Sequence, residues 1–281
     1  MEDLEISYCT KNELVAVKKL WQEVFGDDEI WIDRFFYHLY QDNILIAKVK
    51  GKIVAMATLL SATFLFEQKE YAMRYVYACA TTPLFRGKKI MSKILDKAFE
   101  DSENRGEAGL FLLPADAQLY DFYLKNGFSA FFYHDKQEFS LPDFAEKQSH
   151  LYNVQKISAE KYYSSRNSYL QNENSIHYPL SHFQFIDDSQ IHYPAKFYEI
   201  LYESQNIAIT LIEEKTDYIA AKEFLCKERN MEMLYAICQY FGYERIALYT
   251  LGKTCRDALL RSNEKALLQK GLTGYFNMAL D

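Results

Sequence analysis

Residues Met73 to Met91 read MRYVYACATTPLFRGKKIM, and this stretch decides how the rest of the chain is organised. Up to Thr82 it is rich in β-branched, aromatic and small apolar residues, the composition of a buried strand. Pro83 cannot continue a central strand and marks a turn. After Arg86-Gly87-Lys88-Lys89, the apolar residues Ile90, Met91, Ile94, Leu95, Ala98 and Phe99 recur in pairs every fourth position, the stripe of a helix. A strand, a short basic turn with a glycine and then a helix present backbone N–H groups and the positive end of the helix dipole to an anion such as phosphate. The same pattern also suits a surface turn with solvated basic residues.

On either side the chain continues as alternating elements. Leu4 to Cys9 alternate as a strand, and Thr10 with Glu13 forms a capping box ahead of the helical stripe Leu14, Val17, Leu20, Trp21 and Val24, which Gly26 stops. Asp27 or Asp28 caps a second helix carrying Ile30, Trp31, Phe35, Phe36 and Leu39. Strands over 43–50 and 52–66 join around Gly51, and a strand from Glu70 leads into the basic turn. The next helix ends near Arg105-Gly106, and Leu110 to Leu113 is a short apolar strand. Asp116 caps another helix, and strands over 128–134 and 137–141 close this half.

Two segments resemble the GNAT superfamily of N-acetyltransferases. Thr82 to Met91 is similar to the loop that holds the pyrophosphate of acyl-CoA: Arg86 matches its first position, while Lys89 and Met91 stand where members usually carry Gly and Gly or Ala. Leu119-Tyr120-Asp121-Phe122-Tyr123-Leu124-Lys125-Asn126-Gly127-Phe128 resembles the superfamily's helix-to-strand signature, a Tyr four residues before Gly-Phe. The resemblance implies an α/β (α+β) fold, a GNAT-like mixed sheet with helices on both faces. In that fold the strand before the loop splays from the strand at Leu110, and the pantetheine arm of acetyl-CoA enters the gap. It implies acetyl-CoA on Arg86, Gly87, Lys88, Lys89, Ile90, Met91 and Ser92, with the thioester beside Cys79, Ala80 and Thr81. It also implies Tyr123 as general acid, since a phenol is protonated at neutral pH. A ring merely packed on the sheet is the other reading of Tyr123.

The base is open to several readings. Glu67 and Glu70 are candidates by position, and a chain of waters serves equally. Arg74, in an apolar strand, needs a carboxylate partner, and a structural one is favoured over a substrate. Lys89 loses nothing as a replacement for Gly if its backbone is helical, and its ammonium adds a phosphate contact.

The second half holds a polar stretch after Pro142, a long loop over 171–194 and strands over 196–202, 206–213 and 216–226. Asn230 then caps a helix that stops at Gly242, and a strand covers 245–251. This repeats the central order of the first half without the Arg-Gly turn. It resembles the degenerate second domain of tandem relatives such as the enhanced-intracellular-survival acetyltransferases. The expected division is 1–142, a catalytic acetyl-CoA-binding domain, and 150–281, a degenerate GNAT-like domain. The end of the chain, Gly274 to Asp281, is apolar and reads as a docked closing strand. In the tandem relatives a terminal carboxylate reaches the active site, so the resemblance permits Asp281 as a base.

The 281 residues carry a formal charge of −7 and no long basic run, which argues against a nucleic-acid partner. No stretch reaches the ~20 apolar residues of a membrane span, and the start lacks the layout of a signal peptide. The five scattered cysteines read as free thiols in a reducing cytoplasm. Neither they nor the histidines have metal-ligand spacing. The implied activity is transfer of acetyl from acetyl-CoA to an amine of a small molecule or peptide. A non-catalytic acyl-CoA-binding module on the same fold is the alternative, and a homo-oligomer is permitted.

Overall fold

The computed structural model describes residues 3–141, 149–189 and 194–277. Along the first part run β1 (Leu4–Tyr8), α1 (Leu14–Phe25), α2 (Glu29–Leu39), β2 (Ile44–Val49), β3 (Lys52–Phe66), β4 (Lys69–Thr81), α3 (Ile90–Asn104), β5 (Gly109–Leu112), α4 (Ala117–Lys125), β6 (Ser129–Ala130) and β7 (Phe132–Ser140). Then come β8 (Tyr152–Lys156), α5 (Ala159–Tyr169), β9 (Ser175–His177), α6 (Leu180–Asp188), β10 (Lys196–Tyr202), β11 (Gln205–Glu214), β12 (Ile219–Cys226), α7 (Met231–Phe241), β13 (Arg245–Arg256), β14 (Leu259–Ser262) and β15 (Gly274–Tyr275).

Several of these elements begin where local chemistry says they should. The Glu13 carboxylate accepts from both the N–H and the hydroxyl of Thr10, at 2.9 and 2.7 Å. Asp28 accepts from Trp31 N–H at 2.8 Å and starts α2. Gly26 ends α1 in the left-handed conformation.

The chain forms two compact units, each discontinuous in sequence: 1–64, 69–131 and 258–272 in the first; 65–68, 132–257 and 273–281 in the second. The sequence-based division near residue 142 does not coincide with these units. In the first unit the strands lie in the order β1-β2-β3-β4-β5-β14-β6. β4 and β5 are parallel, and β14 is antiparallel to both β5 and β6. In the second unit the order is β9-β15-β7-β13-β12-β11-β10-β8, with β12 and β13 parallel and β7 antiparallel to β13. The first sheet therefore has seven strands and the second eight, with β9 beyond β15; counted from β1 and from β8, each takes its sixth strand (β14 and β7) from the other half of the sequence.

In the first unit α3 and α4 cover one face, where Ile90, Ile94, Leu95, Ala98, Tyr123 and Phe128 meet Leu45, Ala57, Val76 and Leu110. On the other, Trp21 of α1 and Phe35 of α2 gather around Tyr77 of β4, with ring centroids 5.9 and 5.5 Å away. In the second unit α7 buries Met233, Leu234, Ile237 and Cys238 against Ile212, Ala221, Ile246 and Leu248.

Three differences from the sequence reading have physical causes. The strands expected over 128–134 and 137–141 are β6 and one longer strand, β7. The loop expected over 171–194 contains β9 and α6. Elements β8, α5 and β14 had no clear signature; α5 buries only Ala159, Tyr162 and Arg166, so a charged residue sits in its stripe. Among the described residues no helix is long and apolar enough to cross a membrane, and no cluster of three or more ligating side chains is placed to hold a metal. The five cysteines are free.

Candidate active site

The site grows from a break in β4. Its parallel ladder with β5 pairs Arg74 with Leu110 and Tyr75 with Phe111, and then ends. β4 runs on to Thr81 while β5 stops at Leu112, so the last residues of β4 continue without it. Within that stretch Ala78 adopts φ 51°, the left-handed region that a side chain rarely takes inside a strand. The kink turns Cys79 toward the α3–α4 face, where it packs beside Tyr123. Ala80 is fully buried, and Cys79 and Thr81 are half-buried.

Beyond the strand, Pro83 to Phe85 make one turn of 3-10 helix. Arg86 folds back to donate from Nε to the Thr81 carbonyl at 3.1 Å, and the Lys88 ammonium lies 4.5 Å above the Phe85 ring. Gly87 (φ 73°) and Lys89 (φ 60°) are both left-handed, which presents their amides in alternating directions. The condition under which Lys89 would replace glycine at no cost, a right-handed helical backbone, is not met. A side chain there is strained by about 1–2 kcal/mol.

Lys89 is the N-cap of α3, and it supplies no side-chain cap; nor does the first turn carry an acid. Lys93 N–H bonds the Lys89 carbonyl at 3.2 Å, so the amides of Ile90, Met91 and Ser92 precede the first intrahelical donor. Three open amides and the positive end of the dipole, with Arg86, Lys88 and Lys89 alongside, are the chemistry that can receive an anion.

Tyr123 enters from α4, which Asp116 caps by accepting from Leu119 N–H at 2.8 Å. Its ring is 6% exposed and held edge-on by Phe122 and Phe128, with centroids 5.1 and 5.8 Å away. Burial, reinforced by the adjoining Cys79 thiol, raises the phenol well above its usual range, so the hydroxyl stays protonated. Burial also pushes the Cys79 thiol up to about 11, against a lowering by its hydrogen bond with Tyr123. The thiol is thus a poor nucleophile at neutral pH.

The remaining candidates are placed elsewhere. Glu70 begins β4 on its exposed end, nine residues from Cys79 and hence roughly 30 Å along the strand. Glu67 lies further back in the β3–β4 turn, also exposed. Neither is available as the base. Arg74 is structural: Nε bonds Glu107 at 2.7 Å and Nη1 the Ser61 hydroxyl at 2.7 Å. Burial would raise the Glu107 carboxyl, yet Arg74 and Arg105 together hold it below its ordinary value. Asp281 lies outside the described residues. Sequence reasoning missed the Ala78 kink, which no turn residue announces, and the approach of Cys79 to Tyr123.

The geometry agrees with comparison to known proteins. The family model of the acetyltransferase (GNAT) domain matches residues 5–131. This segment is similar to the GNAT acetyltransferase domain. Solved structures extend the likeness of fold beyond it. A GCN5-related N-acetyltransferase from Anabaena variabilis superposes with TM-score 0.77 at 9% identity, over 94% of this chain and 74% of that one. One from Kribbella flavida gives 0.70 at 15% identity, over 92% and 71%. Eis1 from Mycobacterium abscessus gives 0.64 at 12%, over 87% and 65%. No curated protein matches the sequence. The GNAT domain's matched range stops at Phe131, where the first unit's main run of sequence also ends. The tandem arrangement inferred from the repeated strand order agrees with likeness to Eis1 over most of the chain.

Proposed function

We propose that this chain is an acetyl-CoA-dependent N-acetyltransferase that passes acetyl to a primary amine of a small molecule or peptide by direct attack. One observation carries the reading: an uncapped helix N-terminus, reached through left-handed Gly87 and Lys89, at the end of a kinked strand that has left its neighbour. The donor set suits a pyrophosphate. It offers amides, a guanidinium and two ammonium groups, and an added Cβ at Gly87 meets nothing within 4 Å, so the turn is open to solvent.

Acetyl-CoA supplies an activated acyl group whose thiolate can depart. In this reading Arg86, Gly87, Lys88, Lys89, Ile90, Met91 and Ser92 hold the phosphates. Cys79, Ala80 and Thr81 line the thioester's approach, and small side chains there permit it. N–H groups of the last β4 residues, beyond the end of the ladder with β5, are suited to the carbonyl oxygen as it gains negative charge. Tyr123 keeps its proton through neutral pH and donates it to the leaving sulfur. The half-buried Cys79 thiol holds the Tyr123 hydroxyl at the site and, being protonated, does not compete as an acyl acceptor.

The test is thiol release from acetyl-CoA in the presence of a panel of amines, with calorimetry of acetyl-CoA binding alongside. Turnover with one amine class and loss of binding in Arg86→Glu are the expected results. Binding without turnover on any amine identifies an acyl-CoA-binding module instead, and no binding at all removes the reading.

A further inference from the structure

Strand β14 belongs to the first unit although it lies far along the sequence, and it meets both helices of the candidate site. It runs between β5 and β6, with Arg261 opposite Leu110 and Leu260 opposite Ser129. Contacts from Arg261 and Asn263 tie this stretch to α3. Arg261 Nη1 donates to Asp96 Oδ1 at 2.9 Å. The guanidinium carbon lies 4.3 Å over the Phe99 ring, and the Asn263 side-chain amide donates to Glu103 Oε1 at 3.0 Å. Asp96, Phe99 and Glu103 follow one another at helical spacing, so they share one face of α3.

The Arg261 side chain also lies against the turn that ends α4. A Cβ on Gly127 would stand 3.3, 3.5 and 3.7 Å from Arg261 Nε, Cδ and Cζ. Glycine at this place leaves the guanidinium its room and also supplies the left-handed turn, with φ 83°. The turn is bonded to the site itself. The Tyr123 carbonyl accepts from Asn126 N–H at 2.9 Å and from Phe128 N–H at 3.2 Å. One side chain therefore touches the helix that begins at Ile90 and the turn that is bonded to Tyr123.

Stability is a poor reason for this arrangement. Asp96 is 64% exposed, and an ion pair with an exposed partner contributes little. A planar guanidinium set over a ring and against backbone acts instead as a spacer of fixed size. Spacing matters because the donor has two ends. Its pyrophosphate and its thioester are joined covalently, so holding both at once strengthens binding only when the two protein ends are correctly placed. Reacting atoms displaced by about 1 Å lose much of the rate.

We propose that Arg261 is a positioning residue: by joining Asp96 and Phe99 of α3 to Gly127 at the end of α4, it sets the distance between the pyrophosphate end and the Tyr123 end of the acetyl-CoA site. The role rests on the acetyl-CoA reading above; the contacts of Arg261 do not. Residue 261 lies outside the matched range of the acetyltransferase domain, 5–131, so a distant part of the chain completes the site.

The two ends are probed separately. ADP carries the pyrophosphate without the thioester, and S-acetylpantetheine carries the thioester without the pyrophosphate. Arg261→Met keeps the stem and removes the fork. In this variant acetyl-CoA affinity falls about tenfold, while the affinities for ADP and S-acetylpantetheine, read by ligand-observed NMR, stay at wild-type values. Unchanged acetyl-CoA affinity overturns the proposal. So does an equal loss for either fragment, which is what a merely structural role at that end would give. Phe99→Leu, with Arg261 and β14 kept, shows the same split, and combining it with Arg261→Met adds no further loss. Additive losses overturn the proposal as well. If the wild type does not bind acetyl-CoA, the acetyl-CoA reading itself fails, whatever Arg261 does.

Discussion

The backbone carbonyl oxygen of Arg261 lies 2.2 Å from the point where a Cβ on Gly109 would stand. Gly109 also has φ 145°, so both space and conformation demand glycine. The contact is how β14 fits against β5, through pairs running from Leu259–Leu112 to Ser262–Gly109. Gly109→Ala therefore pushes the strands apart and destabilises the protein by at least ~2 kcal/mol. Urea unfolding gives the value, and a wild-type midpoint would show that β14 tolerates displacement.

Tyr123→Phe deletes one hydroxyl from a buried ring. Acetyl-CoA affinity and thermal midpoint stay near wild type, and kcat falls about 100-fold, the ordinary worth of a general acid. Because burial holds the phenol above its usual range, the wild-type rate shows no decline from Tyr123 ionisation at any pH up to 9. An equal kcat in the variant across that span assigns the ring to packing.

Lys89→Gly isolates the left-handed cap. It relieves strain worth about 1–2 kcal/mol and adds backbone entropy worth about 0.5–1 kcal/mol, so the net effect is neutral to slightly stabilising. Loss of the ammonium weakens acetyl-CoA binding by several-fold, with a smaller dependence on salt. Calorimetry at two salt concentrations reads both effects. Affinity and salt dependence equal to wild type would place the Lys89 charge away from the phosphates.

Glu13 links the fold to acid pH. Hydrogen bonds from the Thr10 backbone and hydroxyl, then Lys48, lower its carboxyl from 4.5 to about 2. The folded value is below the unfolded one, so its contribution is complete above pH 4.5 and is lost as pH falls toward 2. Glu13→Gln thus lowers stability at pH 7 and shrinks its deficit as pH drops from 5 to 2.5. Parallel pH–stability curves for the two proteins would rule out this linkage.

What could be read from the sequence was local. Thr10 with Glu13, Asp28, Asp116 and Asn230 act on amides three residues away, so each helix start is written where it occurs. The same holds for Pro83 and for the stripe from Ile90 to Phe99, which placed the turn and α3. Tertiary structure decided which strands complete which sheet. β14 and β7 hold equivalent slots, yet neither carries a signal of its partner. The Ser262 hydroxyl meets the Ala108 carbonyl across 154 positions, and Asp135 accepts from Lys253 N–H across 118. Ala78 is left-handed only because of the strands around it. Arg166 reads as a solvated residue until Glu223 is brought to it across 57 positions. Hydrogen bonds that cap a helix close within one turn of chain, whereas strand pairing and buried ion pairs depend on groups whose meeting no local preference encodes.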